Sequence, residues 1–197
     1  IYKNPMIQGD STEYEILKEA CESLEADNLF TIEIGVRQGA GTKIILDTLK
    51  DKNHWHLGVD PYGNLNYEHY DDSGSYTCDY TNSMKLQLIK DIDYENFTLF
   101  PMGDDEFMKR FHDGVPIYRN EKEVINKYDL VHFDGPHKTV DVLKEVLFFA
   151  ERSKPGTVFI FDDYPKYNMD LILKVIVNDY GFMLLKQGKN KISLKRN

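Results

Sequence analysis

The chain has 197 residues, with 24 Lys and Arg against 33 Asp and Glu and a formal net charge of -9. That length suits one domain with a full core, and the acidic balance, with no basic run interleaved with aromatics, argues against nucleic-acid binding. Neither a membrane-spanning apolar stretch nor a basic leader ahead of an apolar block occurs, so a soluble, cytoplasmic protein without membrane attachment is expected, although position 1 is Ile and not Met.

Residues Tyr14–Leu24 place Ile16, Leu17, Ala20, Cys21 and Leu24 at helical spacing, with Asp10 or Ser11 available as cap. Phe30–Gly41 then reads as an apolar strand breaking into a glycine-rich turn. Further short apolar runs follow at Trp55–Val59, Phe97–Pro101, Leu130–Phe133 and Thr157–Phe161. They alternate poorly and end in glycine, proline or acidic residues, as strands buried on both faces of a parallel sheet do. Helices are expected at Thr42–Lys50, Ser83–Lys90, Asp105–Phe111, Val140–Arg152 and Met169–Asp179. Phe182–Lys186 and Lys191–Lys195 flank the polar turn Gln-Gly-Lys-Asn and predict a terminal antiparallel hairpin. The fold expected is an α/β domain over residues 1–197, Rossmann-like, with a parallel sheet finished by that hairpin.

Two insertions interrupt the alternation. Residues 62–82 carry Tyr62, Tyr67, Tyr70, Tyr76 and Tyr80 among Glu68, Asp71, Asp72 and Asp79, and read either as a substrate lid or as an ordered surface loop with structural tyrosines. Residues 112–127 suggest no function. Cys21 and Cys78 lack Cys-x-x-Cys spacing and read as plain thiols.

Ligands of open α/β sheets bind beyond the carboxyl ends of the strands, so the polar residues after each apolar run belong together. After the first run come Glu33 and a turn with Gly35, Gly39 and Gly41. Glycines there let the backbone approach a ligand and the next helix pack closely. Their order does not match Gly-x-Gly-x-x-Gly, which disfavours an NAD-linked oxidoreductase. Asp60 offers a carboxylate to the paired hydroxyls of a ribose. Asp104 offers an acceptor to an adenine amine, or a cap to the following helix. Asp134, Asp162 and Asp163 would repel one another without a proton or a cation, which points to a magnesium-type site or, alternatively, to capping and solvent-facing roles. His137 is positioned to be a general base or a structural histidine, with Lys138 as an alternative base. His54, His56, His69, His112 and His132 have no comparable context.

These segments, Glu33-Ile34-Gly35-Val36-Arg37-Gln38-Gly39, Val59-Asp60-Pro61, Phe133-Asp134-Gly135-Pro136-His137, and Pro155-Gly156 ahead of Phe161-Asp162-Asp163-Tyr164, resemble class I S-adenosylmethionine-dependent methyltransferases of the macrocin O-methyltransferase and cephalosporin-hydroxylase-like group. The resemblance implies a cofactor, S-adenosylmethionine, held by Glu33, Gly35, Gly39, Asp60 and Asp104, with Glu33 near its amino-acid end. It implies magnesium held by Asp134, Asp162 and Asp163, as in the metal-dependent members. The second acid of their Asp-Gly-Asp is Pro136 here. In catechol-type enzymes a lysine base stands where His137 stands. The expected activity is methyl transfer to a hydroxyl of a sugar, glycan or small metabolite, with His137 as base. A non-catalytic S-adenosylmethionine-binding protein is the alternative, and a homo-oligomer is compatible with the sequence.

Overall fold

The computed structural model describes residues 7, 9, 11–72 and 74–197. In chain order the chain forms α1 (Tyr14–Glu22), β1 (Asn28–Ile34), α2 (Ala40–Thr48), β2 (Asn53–Val59), β3 (Gly63–Glu68), β4 (Ser75–Tyr80), α3 (Asn82–Asp91), β5 (Phe97–Phe100), α4 (Asp104–Arg110), β6 (Val115–Tyr118) and β7 (Lys122–Ile125). It continues with β8 (Leu130–Phe133), α5 (Thr139–Glu151), β9 (Val158–Phe161), a short 3-10 turn (Tyr164–Lys166), α6 (Met169–Tyr180), β10 (Phe182–Gln187) and β11 (Ile192–Arg196).

The central sheet runs β10-β11-β9-β8-β1-β2-β5. Strands β9, β8, β1, β2 and β5 are parallel, while β11 is antiparallel to both β9 and β10. This is the architecture expected from the sequence, terminal hairpin included. Unbroken apolar runs suit it because each strand is covered twice. Val158 and Ile160 of β9 pack with Leu17, Cys21 and Ile45 of α1 and α2, whereas Phe159 and Phe161 face the cluster holding Phe149 and Ile172 of α5 and α6. Each such side chain, fully buried, contributes roughly 1.5–3 kcal/mol of transfer free energy.

Both insertions are hairpins rather than loops, β3–β4 in the first and β6–β7 in the second. Helix boundaries differ from expectation by at most two residues, and two caps differ in kind. The residue before α1 is Glu13, in a left-handed conformation with no side-chain cap bond. Its carboxylate instead accepts the backbone N–H groups of Lys189 (2.8 Å), Asn190 (2.7 Å) and Lys191 (3.0 Å), tying the turn of the terminal hairpin to α1. Ser11 is therefore not the cap, and Asp10 lies outside the described residues. Helix α4 is preceded by Gly103, so Asp104 is its first residue and not its cap. Cys21 is a buried free thiol, and the Cys78 side chain lies outside the described set.

Gly35 closes β1 with φ +87°, and a Cβ built on it would lie 2.1 Å from the backbone oxygen of Asp134. The ends of β1 and β8 thus approach as closely as two backbones can. Gly156 has a similar φ of +90° but open space around it. Gly35→Ala is therefore expected to lose more than about 3 kcal/mol of stability in urea unfolding, from left-handed strain plus a backbone clash, and Gly156→Ala only about 1–2 kcal/mol. Equal losses in the two variants would show that the close approach at Gly35 is not what the turn requires.

Candidate active site

The carboxyl ends of the parallel strands open into a cavity of about 950 Å³, lined by Gly35, Asp60, Asp104, Asp134, His137, Asp162 and Asp163 among others. Sites for small molecules fall in this size range. Of the nine candidate residues from the sequence, seven therefore share one cavity wall. Glu33 and Gly39 do not line it, although Glu33 lines a smaller pocket that adjoins it at Gly35, Asp60 and Asp134.

The glycine turn is shaped from below by Asp60. One carboxylate oxygen accepts the backbone N–H groups of Val36 (2.9 Å) and Arg37 (2.7 Å), with Asp60 only 2% exposed. Arg37 is held at a positive φ of 49°, a conformation that costs a non-glycine residue energy and persists only where its neighbours impose it. Tyr62 donates to the Arg37 carbonyl at 2.6 Å, adding a second clamp. Asp60 is thus a scaffold for the turn as well as a residue of the cavity wall.

Glu33 is 1% exposed. Parallel register sets it beside His132 of β8, whose Nδ1 lies 2.8 Å from its carboxylate, and the Thr42 hydroxyl donates to its other oxygen. A side chain on Gly41 would strike that carboxylate, with a built Cβ 2.0 Å from Oε1. The glycine at position 41 therefore makes room for Glu33, in addition to letting α2 pack. Gly39 precedes α2 directly, and a Cβ there would meet Leu88 of α3 at 2.3 Å. Its φ of +85° is what demands glycine there, and the approach of Leu88 adds to it.

Asp104 lines the cavity and faces Glu145 of α5, which is 1% exposed. Burial raises both carboxyls above the ordinary range, Glu145 the more strongly and with Asp104 adding to it. Among the described residues no N–H or O–H group donates to Glu145. The direction of both shifts favours the protonated form at this pair.

The three aspartates expected to hold magnesium are compensated from within the protein. Asp162 receives the Lys191 ammonium at 2.6 Å on one oxygen and the Asp163 N–H at 2.8 Å on the other. Burial disfavours its charge, but Lys191, a hydrogen bond from Asp134 and His132 outweigh that and hold its pKa down to about 2. Asp134 behaves oppositely: burial and the neighbouring Asp162 push it well above the carboxylate range, which favours its protonated form. Asp163 pairs with Lys166 at 2.7 Å. A magnesium ion needs several oxygen lone pairs directed at one point, and here internal donors already hold them. The three side chains whose ligand atoms do come within 4.8 Å of one another, among the described residues, are Glu33, His132 and Asp134, two of them already bonded together. The arrangement does not fit the expected magnesium site.

His137 is 5% exposed and lies between Tyr70 and Tyr167, with ring centroids 5.8 Å and 5.9 Å away. Its backbone N–H donates to the His69 carbonyl at 3.0 Å, and its Nδ1 lies 3.0 Å from His69 Nε2. Among the described residues its Nε2 has no hydrogen-bond partner. Burial, then His69, push its pKa down to about 4 against the pull of Asp163 and Asp162, so the ring is neutral at pH 7. Lys138, the alternative base, pairs with Glu68, which raises its pKa and so disfavours it for that role. The β3–β4 hairpin supplies Glu68, His69 and Tyr70, and its Asp71 accepts the Thr139 N–H at 2.9 Å at the start of α5. It is an ordered roof over the cavity, joined to both the glycine turn and the loop after β8.

Residues that the sequence reading passed over are His69, His132, Glu145 and Lys191. Each partners a candidate far away in the chain, and none sits in a motif.

Residues 32–164 match a family described as a methyltransferase domain, Methyltransf_24, and the chain belongs to that family. Its fold is that of the class I S-adenosylmethionine-dependent methyltransferases. The O-methyltransferase from Bacillus cereus in complex with SAH superposes with a TM-score of 0.61 at 10% identity, covering 98% of this chain and 84% of that one. An rRNA methylase from Streptococcus thermophilus gives 0.55 at 11% identity, covering 96% and 99%. In sequence, an uncharacterized protein of Acanthamoeba polyphaga mimivirus is 24% identical over 154 residues, 78% of this chain, which spans 60% of the length of that relative. Among the described residues no helix is long and apolar enough to cross a membrane.

The neutral state of His137 has a measurable consequence. Above its ordinary pKa near 6.5 folded and unfolded chains are both neutral there; as pH falls toward 4 only the unfolded chain takes up the proton, and stability is lost. Asp134 and Glu145, with raised values, act in the opposite sense, so the histidine contribution is read as a difference. Between pH 7.5 and 5, His137→Asn is expected to lose about 2 kcal/mol less stability than the unmodified protein in urea unfolding. Parallel pH profiles would mean that His137 is not held neutral.

Proposed function

We propose that this protein transfers the methyl group of S-adenosylmethionine to an oxygen of a small-molecule or glycan acceptor. The observation that carries the reading is the single cavity at the strand ends, which brings the Gly35 turn, Asp60 and Asp104 together with His137. The first three are suited to a nucleoside and the last to a proton. On this reading the cofactor lies across the end of β1, with Asp60 toward the ribose and Asp104 toward the base. Glu33 acts at one remove, by fixing the start of α2 through Thr42.

Methyl transfer to a hydroxyl needs in-line orientation of oxygen, methyl and sulfur and removal of one proton. For His137 to accept that proton, its Nδ1 must carry hydrogen and donate to His69 Nε2, leaving the Nε2 lone pair for the acceptor. The imidazolium formed would be stabilised by Asp163 and Asp162, which already favour its charged form. The magnesium expected from the resemblance is not part of this reading, since the aspartates that would hold it are compensated. Tyr67, Tyr70 and Asn66 of the roof suit a hydroxyl-rich acceptor, while the net charge of -9 disfavours a polynucleotide. The cytoplasm remains the compartment proposed, and a homo-oligomer remains compatible with the reading.

Calorimetry with S-adenosylmethionine and S-adenosylhomocysteine tests the cofactor, and product release across a panel of sugars and phenols tests the transfer. Both nucleosides are expected to bind, Asp60→Ala to weaken binding at least about tenfold, and His137→Asn to lower turnover about 10²-fold with affinity retained. Absence of binding by the folded protein would sink the reading. Binding without turnover on any acceptor would favour a non-catalytic binding protein.

A further inference from the structure

Lys191 is an unusual residue for its place. It follows the turn of the terminal hairpin, yet its side chain is 0% exposed, and its ammonium reaches Asp162 at 2.6 Å and the Ser11 hydroxyl at 2.6 Å, with the Tyr14 ring centroid 5.2 Å away. A buried ammonium is costly unless a counter-charge and hydrogen bonds surround it. Here an anion, a hydroxyl and an aromatic face do so. The backbone is pinned as well, since the Lys191 N–H donates to Glu13.

This places a fixed positive charge against the carboxylates at the ends of β8 and β9, where a divalent cation would otherwise have to sit. We propose that the Lys191 ammonium takes the place of that cation, so that the protein binds no divalent metal at Asp134 and Asp162 and performs its methyl transfer without one. The inference rests on the methyl-transfer reading for its second half; the first half concerns the site alone. Lys191 is a positioning residue in this account. It holds Asp162 without touching the reacting atoms.

The consequence is a metal site that lies latent beneath a lysine. Lys191→Met removes the charge while keeping a long apolar stem, and leaves two aspartates facing each other without a cation. Manganese titration of the S-adenosylhomocysteine-loaded protein near pH 8, followed by calorimetry and by the electron paramagnetic resonance of free Mn2+, separates the cases. The unmodified protein is expected to show no saturable uptake, and K191M to bind Mn2+ at least about tenfold more tightly and to gain thermal stability from it. Saturable uptake by the unmodified protein that disappears in Asp162→Asn would overturn the proposal, as would a folded K191M that takes up no more Mn2+ than its parent. If K191M does not fold, the titration of the unmodified protein decides alone. Failure to bind S-adenosylhomocysteine would count against the methyl-transfer reading and leave the metal question to be answered by the same titration without it.

Discussion

The buried pair of Lys191 and Asp162 is the constraint around which the site is organised. A parallel sheet brings the ends of all its strands to one edge, and this chain places acidic residues at four of them. Gathered at one edge, with Asp60 and Asp162 buried, those charges cannot all stand together unpaired. The protein resolves the conflict with one buried ammonium, one ion pair at the surface and raised pKa values elsewhere. Asp162 takes Lys191 and Asp163 takes Lys166, while Asp134 and Glu145 are pushed well above the carboxylate range by burial and their acidic neighbours. An enclosed ion pair adds little net stability against an apolar alternative, because desolvation offsets most of the attraction. Its effect is positional, and it links the first helix, the strand ends and the terminal hairpin into one unit through Glu13 and Ser11.

A second carboxylate, Asp60, organises the opposite wall by a different device. It accepts two successive backbone N–H groups and so dictates the path of the turn that a cofactor would meet. Tyr62 extends this control to the roof, whose far end is fastened by His69 and Asp71 to the loop after β8. The cavity is therefore closed by contacts between segments distant in sequence. Its shape depends on the hairpin keeping its register, which the antiparallel pairing from Gly63 with Tyr80 to Glu68 with Ser75 provides.

The fold was legible because its signals are local. Leu130–Phe133 and Thr157–Phe161 are apolar on both faces, which only a doubly covered strand tolerates, and the polar turn before Lys191 separates two short strands. The convergence of Asp60, Asp104, Asp134 and His137 followed from the topology, since Asp60 and Asp134 directly follow a strand and Asp104 and His137 lie in or just after the short connections that leave one. Partners were not legible. His69 meets His137 across 68 residues, and Lys191 lies 29 residues beyond Asp162, with ordinary surface-like sequence around both. Glu145 sits on a helix whose polar positions mostly face water, and nothing local marks it as buried. The acidic cluster could be seen in the sequence, but the sign and source of its compensation could not. That is why magnesium was the natural expectation.

Charge compensation bears directly on the chemistry proposed. The methyl donor carries a full positive charge on sulfur, and that charge is dispersed as the methyl group leaves. Bare carboxylates beside the reacting centre would stabilise the sulfonium more than the transition state, and such binding of the ground state raises the barrier instead of lowering it. An Asp134 whose pKa is pushed well up and an Asp162 already paired with Lys191 lessen that penalty. They also leave a negative lining where it serves the other partner, since the proton arriving on His137 finds Asp163 and Asp162 close by. On the proposed reading the acids nearest the donor are compensated while Asp163 remains to favour a charged His137, an asymmetry that a divalent cation at this position would reverse.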